Sequence, residues 1–398
     1  MKKLIAEYAE QFEKSGLCAH SRVIFAVKPS REFYVSLLAL MRIKAVPILA
    51  DPGMGLGKLL TCYKSTNPHG IVLKIGSRVK SFRFPWAPKI LPENMLAINF
   101  TTGSTGPAKG AVYTKQMFDA MLDSIAKLYE HGPESVTYST LPAFGLIDLL
   151  LGARVLLEPS SLVTHVFTSP AFLNKIPFLK MPNLKHVVCG GAPPRPEQIP
   201  KLPHKTRFHV TYGATEALPI ASTDSYQFGC LGKPVSGVEI KIIDQEICVS
   251  GSSVSQSYYL NAEANQQHKI LFEDKLWHKT GDLGYFDSSD QLWSLGRKSE
   301  VVHTKQGPLY TVPVEHFYNT HFQTQTALVG VGPVGDQTPV ICIEKRRFPV
   351  DPRHKSKIKR HELAKWAEKN PKTFFQTDSG LIAQERFGSV NIQCSTFT

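Results

Sequence analysis

The chain has 398 residues, 42% hydrophobic and 20% charged, the balance of a folded globular protein and not of a disordered one. No run reaches the roughly 18 uninterrupted apolar residues of a membrane span; the most apolar stretch, 144–157, is broken by Asp148 and Arg154. Net charge is +13, and residues 341–370 hold ten Lys or Arg against four Asp or Glu, about half of that excess.

Length alone predicts two or three domains. The N-terminus, MKKLIAEY, turns acidic before any apolar core of secretory length, so a soluble, cytoplasmic protein is expected. Seven scattered cysteines include no Cys-x-x-Cys pair, and the fourteen histidines do not cluster at ligand spacing. These patterns argue against a zinc ribbon or thioredoxin-type site and for reduced core cysteines. The basic run reads as a solvated face, with no nucleic-acid-binding signature beside it. A weaker alternative is peripheral contact between residues 341–370 and an anionic membrane.

In chain order, the periodicity predicts a helix over Lys2–Ser15, a strand over Arg22–Val27, a helix over Glu32–Ile43 and a strand over Ala45–Ala50. A weaker helix over Gly57–Ser65 and a strand over Gly70–Leu73 follow. Residues 75–92, rich in Pro and Lys, read as a loop. A strand over Met95–Phe100 runs into the densest small-residue cluster of the chain, with a helix over Lys115–Glu130 beyond. Further strands are expected at Thr137–Leu141, His186–Cys189 and Phe208–Thr211. From 229 to 300, short β runs with Gly, Ser and Asp turns suggest an antiparallel region. Strand-like segments at 299–304, 326–331 and 339–344 precede a basic helix near 357–369, and the tail after Asn370 reads as loosely ordered. The pattern implies an α/β fold of largely parallel strands flanked by helices, with ligands at the strands' carboxyl ends. A β-rich subdomain near 229–290 and a small α+β C-terminal cap complete the expected architecture. The expected boundary separates a large domain, 1–296, from a small one, 297–398.

The small-residue cluster is Thr101-Thr102-Gly103-Ser104-Thr105-Gly106-Pro107-Ala108-Lys109-Gly110. Glycines let backbone N–H groups turn inward, hydroxyls add donors and lysine adds charge, which suits a polyphosphate. It is not a Walker A loop, because Ala108 and Gly110 flank Lys109. Read alone, it could equally be a flexible surface loop. Four further strings follow: Gly190-Gly191-Ala192-Pro193, Thr211-Tyr212-Gly213-Ala214-Thr215-Glu216, Thr280-Gly281-Asp282 and Gly296-Arg297-Lys298.

In this order the strings resemble the motifs of the adenylate-forming superfamily: acyl-CoA synthetases, luciferases and peptide-synthetase adenylation domains. The resemblance runs from about Leu37 to Leu363. Longer strings (VPILADPGMG, FTTGSTGPAKGAVYT, YGATEALPIAS, TVPVEHFYN, FPVDPRHKSKI) are most similar to the β-lactone synthetases of bacterial olefin biosynthesis and related fatty-acyl ligases.

The resemblance implies ATP with magnesium, and roles for single residues. Thr101, Thr102, Gly103, Ser104, Thr105, Gly106 and Lys109 would cradle the β- and γ-phosphates. Thr215 would hold the α-phosphate, and Glu216 would ligate magnesium, a cation suited to oxygen donors. Tyr212 and Gly213, with the Gly191, Ala192 and Pro193 backbone, would enclose adenine. Asp282 would accept from the ribose hydroxyls, and Arg297 would reach ribose or phosphate. Lys357, just before Ile358, corresponds to the mobile-domain lysine that bridges carboxylate and α-phosphate. Each has a plainer alternative: Asp282 a turn residue, Tyr212 a core aromatic, Glu216 a helix N-terminal acid, Lys357 part of the solvated basic face.

The sequence departs from the family pattern in several places. It begins late, and its small domain is short. Ser299 stands where an Asp or Lys hinge is usual, Ala108 where the loop proline is, and Gln245-Glu246 where Gly-Glu is. The reading that results is ATP-dependent activation of a fatty-type carboxylic acid to an acyl-adenylate. Lactone closure by the substrate's own 3-hydroxyl would follow, the segments Phe144–Leu157 and Val166–Leu179 lining an acyl tunnel or forming core. The alternatives are thioester formation with coenzyme A and a nucleotide- or acyl-binding pseudoenzyme.

Overall fold

The computed structural model describes residues 1–90, 94–101, 107–344, 348–350, 357–369, 374–376 and 393–397. Helix α1 (Lys2–Lys14) buries Ala9 and Phe12. Strand β1 (Arg22–Ala26), α2 (Arg31–Arg42), β2 (Val46–Leu49), α3 (Leu56–Ser65), β3 (Gly70–Ile75), β4 (Arg78–Arg83), β5 (Ala97–Phe100) and β6 (Gly110–Tyr113) follow. They form a six-stranded sheet in the order β4-β3-β1-β2-β5-β6. The four inner strands are parallel, and β4 and β6 are antiparallel edges. Ser30 starts α2 by accepting the Phe33 N–H, which satisfies one of the helix's orphan donors. The helix then buries Val35, Ala39 and Leu40. Phe12, Val23, Phe25, Leu40 and Val72 share one core cluster.

Helix α4 (Lys115–Leu128) leads into the second sheet. Its elements are β7 (Val136–Ser139), α5 (Pro142–Leu150), β8 (Arg154–Leu156), β9 (His165–Thr168), α6 (Pro170–Leu173), β10 (His186–Gly190) and β11 (Arg207–Ala214). Then come β12 (Ala217–Thr223), β13 (Cys230–Pro234), β14 (Val238–Ile243), β15 (Glu246–Gly251), α7 (Ala262–His268), β16 (Lys269–Phe272), β17 (Lys275–Phe286) and β18 (Leu292–Arg297). Strands β8-β7-β9-β10-β11 are parallel neighbours. From β11 onward, in the order β11-β12-β13-β18-β17-β15-β14, every pairing is antiparallel. The change of direction therefore falls at the Ala214–Ala217 turn. In the expected tunnel segment, Val166, Leu173, Ile176 and Phe178 are buried members of one core cluster.

The C-terminal part contains β19 (Val302–Thr304), β20 (Gly307–Leu309), α8 (Thr311–Phe322), β21 (Thr326–Val331), β22 (Thr338–Glu344), α9 (Arg360–Lys369), β23 (Phe374–Gln376) and β24 (Gln393–Phe397). Its sheet runs β21-β22-β24-β23. Val314 and Tyr318 of α8 pack with Leu328 and Ile341, and Leu363 and Ala367 of α9 pack with Ala327, Val329 and Val340. Alternate residues of β21 thus face different helices.

Three expectations change. Residues 75–92 are not all loop, because β4 forms a hairpin with β3 through Gly76 and Ser77. Its exposed Lys and Arg hide a period-2 strand whose Val79 and Ser81 are buried, a common protection of sheet edges. The tail after Asn370 is not simply loose, since β24 pairs parallel with β22 and β23 antiparallel with β24. Helix α8 fills the stretch between the expected strands 299–304 and 326–331, for which no element was expected. Its β-branched and aromatic residues have strand propensity, yet Thr311, Val314, Glu315 and Tyr318 form one buried helical stripe. Of the described cysteines, Cys62, Cys189, Cys230, Cys248 and Cys342 are buried and Cys18 is exposed.

Candidate active site

Thr101 and Gly191 follow the carboxyl ends of β5 and β10, members of parallel pairs, where the backbone leaves the sheet, whereas Tyr212, Asp282 and Arg297 lie within β11, β17 and β18. Thr101 comes directly after β5. Its N–H donates to the Lys109 carbonyl at 2.9 Å, and its hydroxyl accepts the Lys109 N–H at 3.3 Å. These bonds close the neck of the phosphate-loop candidate. Thr102, Gly103, Ser104, Thr105 and Gly106 lie outside the described residues.

Segment 254–259 stitches this neck to the Thr215–Glu216 turn. Ser257 O accepts the Val112 N–H, the Tyr259 N–H reaches Gly110 O, and the Ser255 N–H reaches Glu216 O at 2.7 Å. The Tyr113 hydroxyl donates to Thr215 O at 2.6 Å. The turn itself joins β11 to β12, so Glu216 is not a helix N-terminal acid. A β-bulge between Tyr212 and Ala214 precedes it, a device that re-aims side chains. A Cβ on Gly213 would stand 2.6 Å from Leu218 Cδ1 and 3.2 Å from Ala217 O, so a larger residue there would have to displace the Leu218 side chain.

Glu216 is buried, and Tyr258 donates to its Oε1 at 2.5 Å. Lys109 and Lys269 both approach the Tyr258 ring, with Nζ 5.9 and 5.4 Å from the centroid. Lys109 Nζ also lies 2.8 Å from His268 Nε2. Burial lowers the Lys109 ammonium and brings Lys269 down to about 8, while the Glu216 charge opposes both shifts. Burial would raise the Glu216 carboxyl, but the His278 ring, the Tyr258 hydroxyl and Lys269 together hold it below its ordinary value. His278 is itself pushed down by burial to about 3.

A second group forms beside the first. Asp282 lies within β17, opposite Arg297 of β18, and is therefore a strand residue and not a turn residue. Tyr212 donates to Asp282 Oδ2 at 2.7 Å, Arg297 Nε is 2.9 Å from Oδ1, and Arg297 NH1 donates to Thr280 O at 3.0 Å. Burial and then the Asp282 charge raise the Tyr212 phenol, and Asp282 also raises Arg297. Gly191, Ala192 and Pro193 extend from β10, whose Gly190 is in register with Thr211, beside Tyr212. Buried Glu246 holds the Gly281 end of this group, accepting from the Gly281 N–H at 3.1 Å and from Lys298 Nζ at 2.9 Å.

Lys357 stands on another segment, next to buried Ile358 and ahead of α9. That segment is tied to the Arg297 strand end through Arg360, which pairs with Glu300 at 2.7 Å and forks onto Glu315. Sequence reasoning missed Tyr258, Lys269, His268 and His278, because only the stitching of remote strands brings them to Glu216.

Glu216 offers one carboxylate, and the hydroxyls of Thr101 and Thr215 are further hard oxygen donors. Among the described residues no group of three His, Cys, Asp or Glu could hold a metal. This donor set fits magnesium bound chiefly by substrate phosphates, not a metal caged by protein ligands alone.

Residues 72–259 match the family model described as AMP-binding enzyme. The chain is 28% identical to an olefin beta-lactone synthetase of Xanthomonas campestris pv. campestris, over 89% of this chain and 88% of that protein. That alignment spans 490 residues, so the relative carries internal segments that this chain lacks. A long-chain-fatty-acid–CoA ligase of Escherichia coli O6:H1 is 24% identical over 65% of this chain and 54% of that protein. The O-succinylbenzoate coenzyme A synthetase of Bacillus subtilis, solved with AMP, superposes with a TM-score of 0.74 at 16% identity, covering 91% of this chain and 92% of that one. An amide bond synthetase of Marinactinospora thermotolerans gives 0.76 at 18% identity, covering 91% of this chain and 93% of that one. Motif order, family match, relatives and fold agree: residues 72–259 match the AMP-binding enzyme model, and the chain around them is similar to adenylate-forming ligases.

Proposed function

We propose that the protein uses ATP to convert a fatty-type carboxylic acid into an acyl-adenylate. The observation that carries this reading is the pair of linked groups, Lys109–Tyr258–Glu216 and Tyr212–Asp282–Arg297, set at the ends of β5 and β11.

In this reading Lys109 and the Thr101 neck bind the terminal phosphates, and the Thr215 hydroxyl contacts the α-phosphate. Asp282 accepts from the ribose. Each of its oxygens already takes one partner, and each has a second lone pair available. Magnesium would be held by Glu216 and by phosphate oxygens, and would supply charge neutralisation. A carboxylate oxygen attacks the α-phosphorus, a new O–P bond forms, and the α–β bridging P–O bond breaks to release pyrophosphate. Residues 1–296 form the body for this step and 297–398 the cap. The cap would deliver Lys357 to the developing negative charge by turning about Arg297–Ser299.

The favoured second step is attack by the substrate's 3-hydroxyl on the activated carbonyl, releasing AMP and closing a β-lactone. An intramolecular attack of this kind has a large effective concentration. Similarity to the olefin beta-lactone synthetase supports it. Similarity to the long-chain-fatty-acid–CoA ligase supports the second reading, in which coenzyme A is the acceptor. Product analysis with ATP and a 3-hydroxy fatty acid separates the two. Lactone without coenzyme A supports the first, and thioester formed only with coenzyme A supports the second.

A further inference from the structure

Between Pro52 and Pro92 the sequence has seven Lys or Arg and no Asp or Glu. The same segment holds Leu56, Leu60, Ile75, Phe82 and Trp86, all exposed large hydrophobic residues. Trp86 is 77% exposed and stacks on Phe84 with centroids 5.2 Å apart.

The fold gathers these residues. On β3 and β4, Val72, Val79 and Ser81 face α1, as the Gln11–Val79 and Ser15–Ser81 hydrogen bonds and the shared core cluster show. The opposite face carries the cross-strand pairs Ile71–Phe82, Leu73–Lys80 and Ile75–Arg78. Over this face lies α3, whose Cys62 and Tyr63 cluster with Ile71 and Phe84. Cys62 is the helix's one buried residue. Leu56 and Leu60, one helical turn apart, are exposed, as are Lys58 and Lys64. Lys74 pairs with Glu32, while Arg78 and Lys80 lie among the apolar tips. Apolar tips interleaved with cations suit a bilayer surface: aromatic and aliphatic side chains enter the headgroup boundary and the cations meet anionic lipid. A protein partner would demand acidic groups arrayed between apolar ones, whereas an anionic bilayer offers both without a fixed pattern.

We propose that the β3–β4 hairpin and α3 form a peripheral docking surface for an anionic membrane, with Trp86 and Phe82 as apolar anchors and Arg78 and Lys80 as charge contacts. This surface differs from the basic run 341–370, in which Arg360 is consumed by internal pairs with Glu300 and Glu315. It is independent of the adenylation reading, because binding is measured without ATP.

The test is co-sedimentation of the full chain with phosphatidylcholine vesicles, with and without 30% phosphatidylglycerol, roughly that fraction being chosen for a strong surface potential. Binding is expected only with the anionic lipid and should weaken as salt rises. Arg78→Glu with Lys80→Glu, and separately Phe82→Ser with Trp86→Ser, should each reduce it about tenfold or more. Lys365→Glu with Lys369→Glu should change it less. Unchanged circular dichroism and melting temperature separate loss of docking from loss of fold. Absence of vesicle binding, equal binding to neutral vesicles, or loss confined to the Lys365/Lys369 variant overturns the proposal. So does concentration-dependent self-association abolished by the Phe82/Trp86 variant without vesicle binding, which would make the face a contact between copies.

Discussion

Tyr212 donates its hydroxyl to Asp282 Oδ2 at 2.7 Å, joining two motif residues 70 positions apart in the chain. Arg297 holds the other carboxylate oxygen, so Tyr212→Phe removes one hydrogen bond while leaving Asp282 paired. A hydrogen bond to a charged acceptor contributes about 1.5–3 kcal/mol. If the carboxylate must be aimed at ribose, ATP affinity should fall about tenfold or more in this variant, with the fold retained. Calorimetric titration with ATP checks this; unchanged affinity would remove Tyr212 from the nucleotide site.

Tyr258 orients Glu216 in the same manner, through its hydroxyl at 2.5 Å. Loss of a partner that orients a metal ligand typically weakens metal affinity about 10- to 100-fold. Tyr258→Phe is therefore expected to raise the magnesium concentration needed for nucleotide turnover by about that factor. Magnesium-dependent ATP binding, followed calorimetrically, should shift in parallel. A drop in melting temperature with no change in magnesium dependence would make Tyr258 purely structural.

Arg360 is partly buried and pairs with two carboxylates, buried Glu315 and half-buried Glu300. Burial pushes the Glu315 carboxyl up and the Arg360 guanidinium pulls it down. Arg360→Leu leaves Glu315 buried without its partner and should destabilise the C-terminal part by about 3–5 kcal/mol, the usual cost of breaking a buried pair. Adding Glu315→Leu should recover part of that loss. Denaturant unfolding of the single and double variants measures both, and a single-variant cost below about 1 kcal/mol would contradict the account.

Acid should destabilise the large sheet. His165, His186 and His209 stack across β9, β10 and β11, with ring centroids 4.8 and 5.2 Å apart. Burial holds His165 at about 3 and His186 at about 4, and it lowers His209. These folded values lie below the unfolded 6.5, so the unfolded chain binds protons first. Stability is full above pH 6.5 and is lost as pH falls, by about 1.4 kcal/mol per pH unit for each ring. Arg207 and Lys185 reinforce the shift at His186, while Glu130 opposes it. Asp148, beneath His131, is pushed up by burial and offsets part of the loss. His186→Gln should flatten the fall in unfolding free energy between pH 6.5 and 5 by about 1.4 kcal/mol per unit. An unchanged slope would contradict this.

Much of this is legible in the amino-acid sequence. Helices such as Arg31–Arg42 show 3.6-residue periodicity with a serine cap, and the motifs carry the glycines and hydroxyls that their turns need. Strand β4 was hidden because an edge strand protected by Lys and Arg looks like a polar loop. Helix α8 was hidden because tertiary packing overrides the strand propensity of Thr-Val-Pro-Val. At the site, Thr101, Lys109, Tyr212, Glu216, Asp282 and Arg297 stand in the motif strings that carry the resemblance. Lys269 and Tyr258 do not, and their meaning depends on Ser255 and Ser257 hydrogen-bonding to Glu216 and Val112.

The most direct test is acid-dependent exchange of labelled pyrophosphate into ATP, with short, long and 3-hydroxylated acids, in wild type, Lys109→Ala and Asp282→Ala. The account predicts exchange with long-chain acids, falling by about a hundredfold or more in both variants. ATP binding with no exchange for any acid would contradict it and leave a nucleotide-binding protein without adenylation activity.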